Sequence, residues 1–339
     1  MLTLKVKLKD AEKTKKMLLS KGLLDVHFLP SKDRSFIYFP VKKRFSSSGL
    51  ASKPVFVQKK VQNREERKSL KESLGSKLSK DELSILKSSM DQIGTIAILE
   101  IPKELVKRRK IIGRETLKVC KGVKGVFQKG KHEGVYRVQK LTWLAGEKTK
   151  EAVYKENNIT LKLDVEKVYF SPRLSNDRKR VAGLVQPGEE VLVMFSGCGP
   201  YTCVIAKNTP ALSVVGVEIN PVGHDYAVEN LKINKRENAE VFLGDVRNVV
   251  PSLKRKFDRI LMPLPKNASE YLDVALAAAK KGATIHMYEF QNENETHKSI
   301  QAIKDACDKA GRKYTLLGIF KCGQNSPRAY RFCFDFKVE

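Results

Sequence analysis

No apolar stretch of the chain approaches the ~18 residues that a membrane span needs, so a helical membrane protein is excluded. The start, Met1-Leu-Thr-Leu-Lys-Val-Lys-Leu-Lys9, alternates apolar and basic residues and lacks the long apolar core of a secretory signal. A soluble cytoplasmic protein is the expectation. The six cysteines form no Cys-x-x-Cys pair and stand at no zinc-ligand spacing from the five histidines, so no metal is assigned. Glycine (21) and proline (13) are unexceptional beside 41% apolar residues, which excludes collagenous and disordered classes. No internal repeat is visible. The shortage that matters is acidic: 38 Asp and Glu face 65 Lys and Arg, a net charge of +27 over 339 residues.

That charge is unevenly placed. Residues 1–150 carry a balance of +22 and residues 151–339 only +5. Self-repulsion on this scale destabilises a compact domain unless a polyanion compensates it by releasing condensed counterions. No lipidation signal or clean basic amphipathic helix points to a membrane surface. Nucleic acid is therefore the expected partner, gripped by the N-terminal half.

Residues 1–60 read as a small α/β unit, with a strand at Leu2–Leu8, a helix at Ala11–Lys21 and a strand at Ser35–Val41. The stretch Arg44–Pro54 reads as a loop, and Val61–Lys80 as a charged bridge. A second basic unit spans 65–155, with a strand at Gly94–Ile101, a helix after Pro102 and strands near Gly125–Gln128 and Gly134–Leu141. From 156 to 339 strands alternate with helices, which calls for a doubly wound parallel sheet. Strands are expected at Glu190–Phe195, Leu212–Ile219, Ala239–Leu243, Phe257–Leu264 and Gly282–Phe290, with helices at Pro221–Lys235, Ala268–Lys280 and Thr296–Ala310. Tyr314–Phe320 and Ala329–Val338 read as a closing antiparallel hairpin, the architecture of the class I methyltransferases, by analogy of fold alone.

Three features end three consecutive strands at one sheet edge. Phe195-Ser-Gly197-Cys-Gly199-Pro200 offers a tight turn whose backbone can approach a cofactor closely. The dinucleotide fingerprint needs a third glycine where Thr202 stands, which disfavours nicotinamide and flavin. Glu218 ends the next strand, 21 residues after Gly197, where a carboxylate can accept from ribose hydroxyls. Asp245, in Gly244-Asp-Val246, ends the third, unless it simply caps a helix. Together they suit an adenosine cofactor without pyrophosphate, S-adenosylmethionine.

A longer string recurs in order: Lys167-Val-Tyr-Phe-Ser-Pro-Arg-Leu174, Met194-Phe-Ser-Gly-Cys-Gly-Pro200, Glu218-Ile-Asn-Pro221, Glu229-Asn-Leu-Lys-Ile-Asn-Lys235, Gly244-Asp-Val-Arg247 and Asp258–Lys266. It resembles the archaeal and eukaryotic tRNA (guanine-N1)-methyltransferases, which act at position 37 beside the anticodon. The likeness extends upstream through Gly134–Arg137, Leu144–Glu147 and Lys155–Asn157, and covers nearly the whole chain. It implies a Rossmann-like class I methyltransferase domain behind two smaller α/β RNA-binding domains, the first recognising the tRNA elbow. It also implies tRNA as partner; no obligate protein partner is evident in the sequence, and a monomer is expected. By the same resemblance Phe195, Gly197, Gly199, Pro200, Glu218, Asp245 and Val246 hold S-adenosylmethionine, and Tyr169, Arg173, Pro263 and Pro265 hold the substrate.

Guanine N1 is protonated at neutral pH, so a carboxylate must take that proton while a cation steadies the charge growing on O6. The family's base, a Glu, corresponds here to Asp177, one methylene shorter; the alternative for Asp177 is a helix N-cap before Arg178–Val185. The family's O6-stabilising arginine corresponds to Arg137, whose alternative is one more phosphate contact. Two other positions depart from the pattern. Val193 replaces an acid at the end of the first strand. Pro263 stands where the family presents an Asn, and proline has no donor to offer. Either backbone groups around Leu264–Lys266 seat the base, or the substrate differs. Wyosine-pathway relatives, which methylate a tricyclic guanine or transfer an aminocarboxypropyl group, are the alternative within the fold. A non-catalytic RNA-binding relative that kept the fold is the alternative from another class.

Overall fold

A computed structural model describes residues 1–339 apart from 47–53, 64–67, 88, 135 and 327. The expected loop at Arg44–Pro54 lies mostly outside the described residues. The chain divides into two compact units, Met1–Ser69 and Leu70–Glu339. None of the described helices is long and apolar enough to cross a membrane.

The first unit is a four-stranded antiparallel sheet of Leu2–Lys7, Ser31–Lys32, Phe36–Pro40 and Val55–Gln58, with the helix Ala11–Ser20 beside it. The alternation at the N-terminus sends Leu4 and Val6 into a core with Leu18, Phe39 and Val41.

The second unit opens with a four-stranded sheet of Met90–Ile93, Ile96–Leu99, Gly125–Glu133 and Val138–Gly146, hydrogen-bonded in that order. The helix Arg109–Val119 crosses it so closely at Gly113 that a Cβ there would stand 2.5 Å from the Leu144 Cβ. A hairpin of Glu151–Glu156 and Ile159–Asp164 follows, across the boundary drawn at 155/156 from sequence.

The remaining chain builds one seven-stranded sheet. Its strands are β1 (Glu190–Met194), β2 (Ser213–Glu218), β3 (Ala239–Leu243), β4 (Phe257–Met262), β5 (Ala279–Asn292), β6 (Tyr314–Ser326) and β7 (Ala329–Val338). They lie in the order β3-β2-β1-β4-β5-β7-β6, with β7 antiparallel to both neighbours and the other pairs parallel. Its helices are α1 (Ser175–Ala182), α2 (Pro200–Asn208), α3 (Pro221–Ile233), α4 (Val246–Ser252), α5 (Leu272–Ala278) and α6 (Thr296–Lys309). Val191, Leu192, Val193 and Met194 are all buried, as a strand covered on both faces requires. Two asparagines on one face of α3 fasten the hairpin to this layer. The amide of Asn234 accepts from the Thr160 N–H (3.0 Å) and donates to its carbonyl (2.7 Å), and Asn230 does the same at Lys162 (2.7 and 3.0 Å). The Asn-x-x-x-Asn spacing of the motif is thus one helical turn's worth of backbone clamps.

The order reverses between β1 and β4, so a crevice opens over the carboxyl ends of the strands. That crevice holds the candidate site.

Candidate active site

Leaving β1, the chain turns sharply into α2. Phe195, Gly197 and Gly199 all take left-handed backbone angles, φ 57°, 58° and 79°. Glycine does so freely, whereas Phe195 carries about 1–3 kcal/mol of strain that its surroundings must hold. Its ring meets Tyr271 edge-on at 5.0 Å, and the next glycine is tied to the neighbouring strand by Gly197 N–H to Glu218 Oε2 at 2.6 Å. Glu218 Oε1 accepts a second backbone N–H, from Asn220, at 2.8 Å. Burial pushes the Glu218 carboxyl above its usual range, against the pull of these N–H groups. Asp245 does cap α4, accepting from Arg247 N–H at 2.8 Å, and it also lines the crevice.

The cavity here, about 170 Å³, is lined by Phe195, Gly197, Pro200, Glu218, Asp245 and Val246. Arg137, Tyr169, Pro263 and Leu264 line it as well. The donor set fits an adenosine carrying a cationic sulfonium: carboxylates stand where ribose hydroxyls would bond, and they would repel a pyrophosphate.

On the substrate side Arg137 holds a left-handed φ of 52°, and its guanidinium lies 4.8 Å from the Tyr169 ring centre. Burial, aided by the Arg331 charge, pulls its pKa below the ordinary arginine value. The Pro263-Leu-Pro265 turn gives the cavity no backbone donor of its own. Prolines have none, and the Leu264 N–H is spent on the Met262 carbonyl at 2.8 Å. The Pro265 carbonyl accepts from Phe290 N–H at 2.9 Å, outside the cavity wall. Of the backbone groups around Leu264–Lys266 expected to seat the base, the Leu264 N–H is therefore already engaged.

Asp177 is not where a helix cap would be. The helix begins at Ser175, no side chain caps it, and Asp177 turns inward from its first turn. The N-cap alternative is corrected accordingly: by the time Asp177 is reached the backbone is already helical. Its Oδ2 accepts from Tyr288 Oη at 2.6 Å and Tyr201 Oη at 2.8 Å, and its Oδ1 from Arg180 Nε at 2.8 Å. Burial raises both tyrosine hydroxyls well above their usual range, so they remain donors. Asp177 itself does not line the cavity; Tyr201 does.

A buried polar chain continues from there. Arg180 Nη1 donates to Asp335 Oδ2 (2.6 Å), Asp335 Oδ1 meets His286 Nδ1 (2.7 Å), and Arg259 Nη1 meets His286 Nε2 (2.8 Å). Arginine can only donate, so His286 is neutral with its proton on Nδ1. Burial lowers its pKa in keeping with that tautomer. Burial would raise Asp335, but bonds from His286, Arg180 and Cys333 hold it at about 2. His286, Cys333 and Asp335 thus come together from adjacent strands despite their unsuggestive spacing in sequence. The imidazole is occupied at both nitrogens and two guanidiniums stand by, so this is a polar core rather than a cation site.

Of the other residues singled out from sequence, Arg173 points away from the cofactor side and pairs with Asp91 at 2.8 Å, and Gly199 forms the N-cap of α2. Tyr271, Asn220 and Ser171, which also line the cavity, were not anticipated. Nor was Arg178, 1% exposed and bound to Glu156 through Nη2 to Oε2 at 2.7 Å and through Nε. Arg178 also donates to the Ser171 carbonyl at 3.1 Å, which fixes the Tyr169–Arg173 segment against the cavity. The quoted likeness at Lys155–Asn157 contained its partner, but nothing in sequence joined the two.

The TRM5/TYW2 methyltransferase domain matches residues 152–317, the TYW2 N-terminal domain 70–149 and the tRNA methyltransferase 5 N-terminal domain 3–48. The chain is 38% identical to the tRNA (guanine(37)-N(1))-methyltransferase Trm5b of Pyrococcus abyssi, over 99% of each chain. The crystal structure of that Trm5b superimposes with a TM-score of 0.75 at 37% identity, covering 100% of this chain and 99% of the other. A complex of aTrm5 with tRNALeu gives a TM-score of 0.72 at 30% identity, covering both chains in full. The tRNA 4-demethylwyosine(37)-methyltransferase Taw21 of Saccharolobus solfataricus is 34% identical over 73% of this chain and 92% of its own.

Proposed function

The chain belongs to the TRM5/TYW2 methyltransferase family, and from that premise we propose that it transfers the methyl group of S-adenosylmethionine to N1 of guanosine 37 in tRNA. The observation that carries this reading is that one cavity is lined both by the carboxylates Glu218 and Asp245 and by Arg137 and Tyr169. When bound, S-adenosylmethionine supplies the electrophilic methyl. Glu218 and Asp245 would receive its hydroxyls and amine, and Phe195, Pro200 and Val246 would enclose it. Arg137 steadies the charge at O6, a task for a buried donor in a water-poor site. Asp177 receives the N1 proton by way of Tyr201, whose hydroxyl touches it. Pro263 borders the base, with Pro265 holding the turn, and Arg173, expected from sequence to hold the substrate, contacts the RNA strand beyond the base instead. A monomer acting on tRNA in the cytoplasm completes this reading. Methyl transfer to unmodified tRNA transcripts, followed by nucleoside mass spectrometry, tests the reading; absence of 1-methylguanosine at position 37 overturns it.

One observation favours a second product. Pro263 at the cavity wall, with the Leu264 N–H spent, leaves the base edge less constrained than an Asn would. A tricyclic guanine such as 4-demethylwyosine fits that lack of a donor, and the same assay on tRNA carrying it decides the point.

Glu218→Ala should weaken S-adenosylmethionine binding by about 1.5–3 kcal/mol, since it removes charge-assisted acceptors as well as the anchor of Gly197. Calorimetry giving an unchanged affinity would take Glu218 out of the site.

Labour is divided between the units, on this reading. Residues 1–69 carry +12 of the +27 charge and have their own core. A protein of residues 70–339 should fold and bind S-adenosylmethionine as the whole chain does. It should bind tRNA at least ten-fold more weakly, with a shallower salt dependence, as fewer phosphates are neutralised. Equal tRNA affinity for the two proteins would sink the assignment.

A further inference from the structure

Behind the Tyr169–Ser171 segment lies a second cavity, which shares Arg137 and that segment with the first. Lys129, Arg137, Arg173 and Arg331 contribute four cations to its lining, and Asp91, already paired with Arg173, is the one acid among its described lining residues. Arg331 is the unusual member. It stands on β7 directly opposite Phe290 of β5, only 8% exposed, with its guanidinium 5.0 Å from the Phe290 ring centre. Nη2 donates to Tyr169 Oη at 2.5 Å, while Nε is enclosed and has no hydrogen-bond partner among the described residues. Among those residues it makes no ion pair either. A buried guanidinium with an unmet donor and no counter-ion costs several kcal/mol unless something anionic completes it. Lys129 is exposed at the rim, so the cavity has a charged entrance as well as a charged floor.

We propose that this second cavity seats one phosphodiester of the RNA strand beside the target nucleotide, with Arg331 as its principal ligand and Arg137 and Lys129 facing it. The inference rests on the tRNA reading above and deepens it: the seat fixes the backbone of the nucleotide whose base lies across Tyr169. A guanidinium without a counter-ion suits a phosphate, and a phosphate held here positions the nucleotide without reading its base. Arg331 is a substrate-binding residue that also holds Tyr169 in place.

The test uses full-length protein and a tRNA transcript, with binding measured across a series of KCl concentrations. Arg331→Gln should weaken tRNA binding roughly 10–100-fold at low salt, as expected for one charge-assisted contact. The slope of log K against log salt should flatten by about 0.7, one phosphate's worth for a single strand. Arg331→Lys should keep the wild-type slope, because the charge remains. Tyr169→Phe should also keep it, although it breaks the Arg331–Tyr169 bond. S-adenosylmethionine affinity should be unchanged in Arg331→Gln. Should that variant fail to fold, Lys129→Gln at the exposed rim carries the same expectation for the slope. An unchanged slope overturns the seat and leaves Arg331 as a prop for Tyr169. Weakened cofactor binding overturns it too, because the anion would then be the cofactor's own carboxylate. Wild-type protein that makes no 1-methylguanosine defeats the functional reading instead, and the slope comparison still decides the seat.

Discussion

Asp177→Asn is expected to lower the single-turnover rate of methyl transfer by about 10²–10⁴-fold, the usual worth of general-base catalysis, while S-adenosylmethionine and tRNA bind nearly as before. The amide is close in shape, can still accept from the Tyr201 and Tyr288 hydroxyls, and leaves Arg180 its bond to Asp335. What it cannot do is hold a proton taken from N1. If the proton travels through Tyr201, Tyr201→Phe should slow the reaction comparably, because the ring stays and only the connecting hydroxyl goes. If instead Asp177 turns to meet the base directly, Tyr201→Phe should be nearly silent. The melting temperature of each variant separates lost chemistry from lost packing. An Asn variant with a near-normal rate and the wild-type pH dependence would return Asp177 to the role of a partner for Arg180, and the base would have to be sought elsewhere.

Much of the catalytic sheet was legible because parallel strands are buried on both faces. Val191–Met194 and Val214–Val217 read as continuous apolar runs in sequence for the reason that they pack as such. The cofactor edge was legible because glycine and acid fall at strand ends, where backbone approach and hydroxyl recognition need them. The two helices that escaped notice did so for opposite reasons. In α2 every residue from Tyr201 to Ala206 is buried, so no amphipathic period exists to be found. In α4 there are only seven residues, and Pro251 among them reads as a breaker. The hairpin at 151–164 alternates, with Ile159, Leu161 and Leu163 buried, but polar residues between them left it without an assigned element. The environment of Asp177 was not legible at all. Tyr201 and Tyr288 lie 24 and 111 residues away, and only the sheet order brings them to one carboxylate.

Glu156→Gln should destabilise the protein by about 3–5 kcal/mol, more than any other single exchange argued above. Arg178 and Glu156 are among the most enclosed charges of the molecule, 1% and 3% exposed at their side chains. Burial works against the Arg178 charge, but the bonds and the charge of Glu156 outweigh it and leave that pKa raised. A glutamine keeps the shape and one acceptor, yet strands a guanidinium in a cavity wall with no counter-charge at hand. The pair as a whole is a different matter, since desolvating two ions consumes much of what their attraction returns. Replacing both, as Glu156→Leu with Arg178→Met, should therefore recover most of the stability lost in the single variant. It should not recover activity. Arg178 donates to the Ser171 carbonyl and lies 5.2 Å from the Phe170 ring, so the segment that walls both cavities would lose its fixed position. Urea unfolding of the three proteins, read with their methyl-transfer rates, separates the two roles. A single variant with an unchanged midpoint and slope would show that the charge is not truly enclosed, and an active double variant would show that the ion pair holds the fold and nothing of the site.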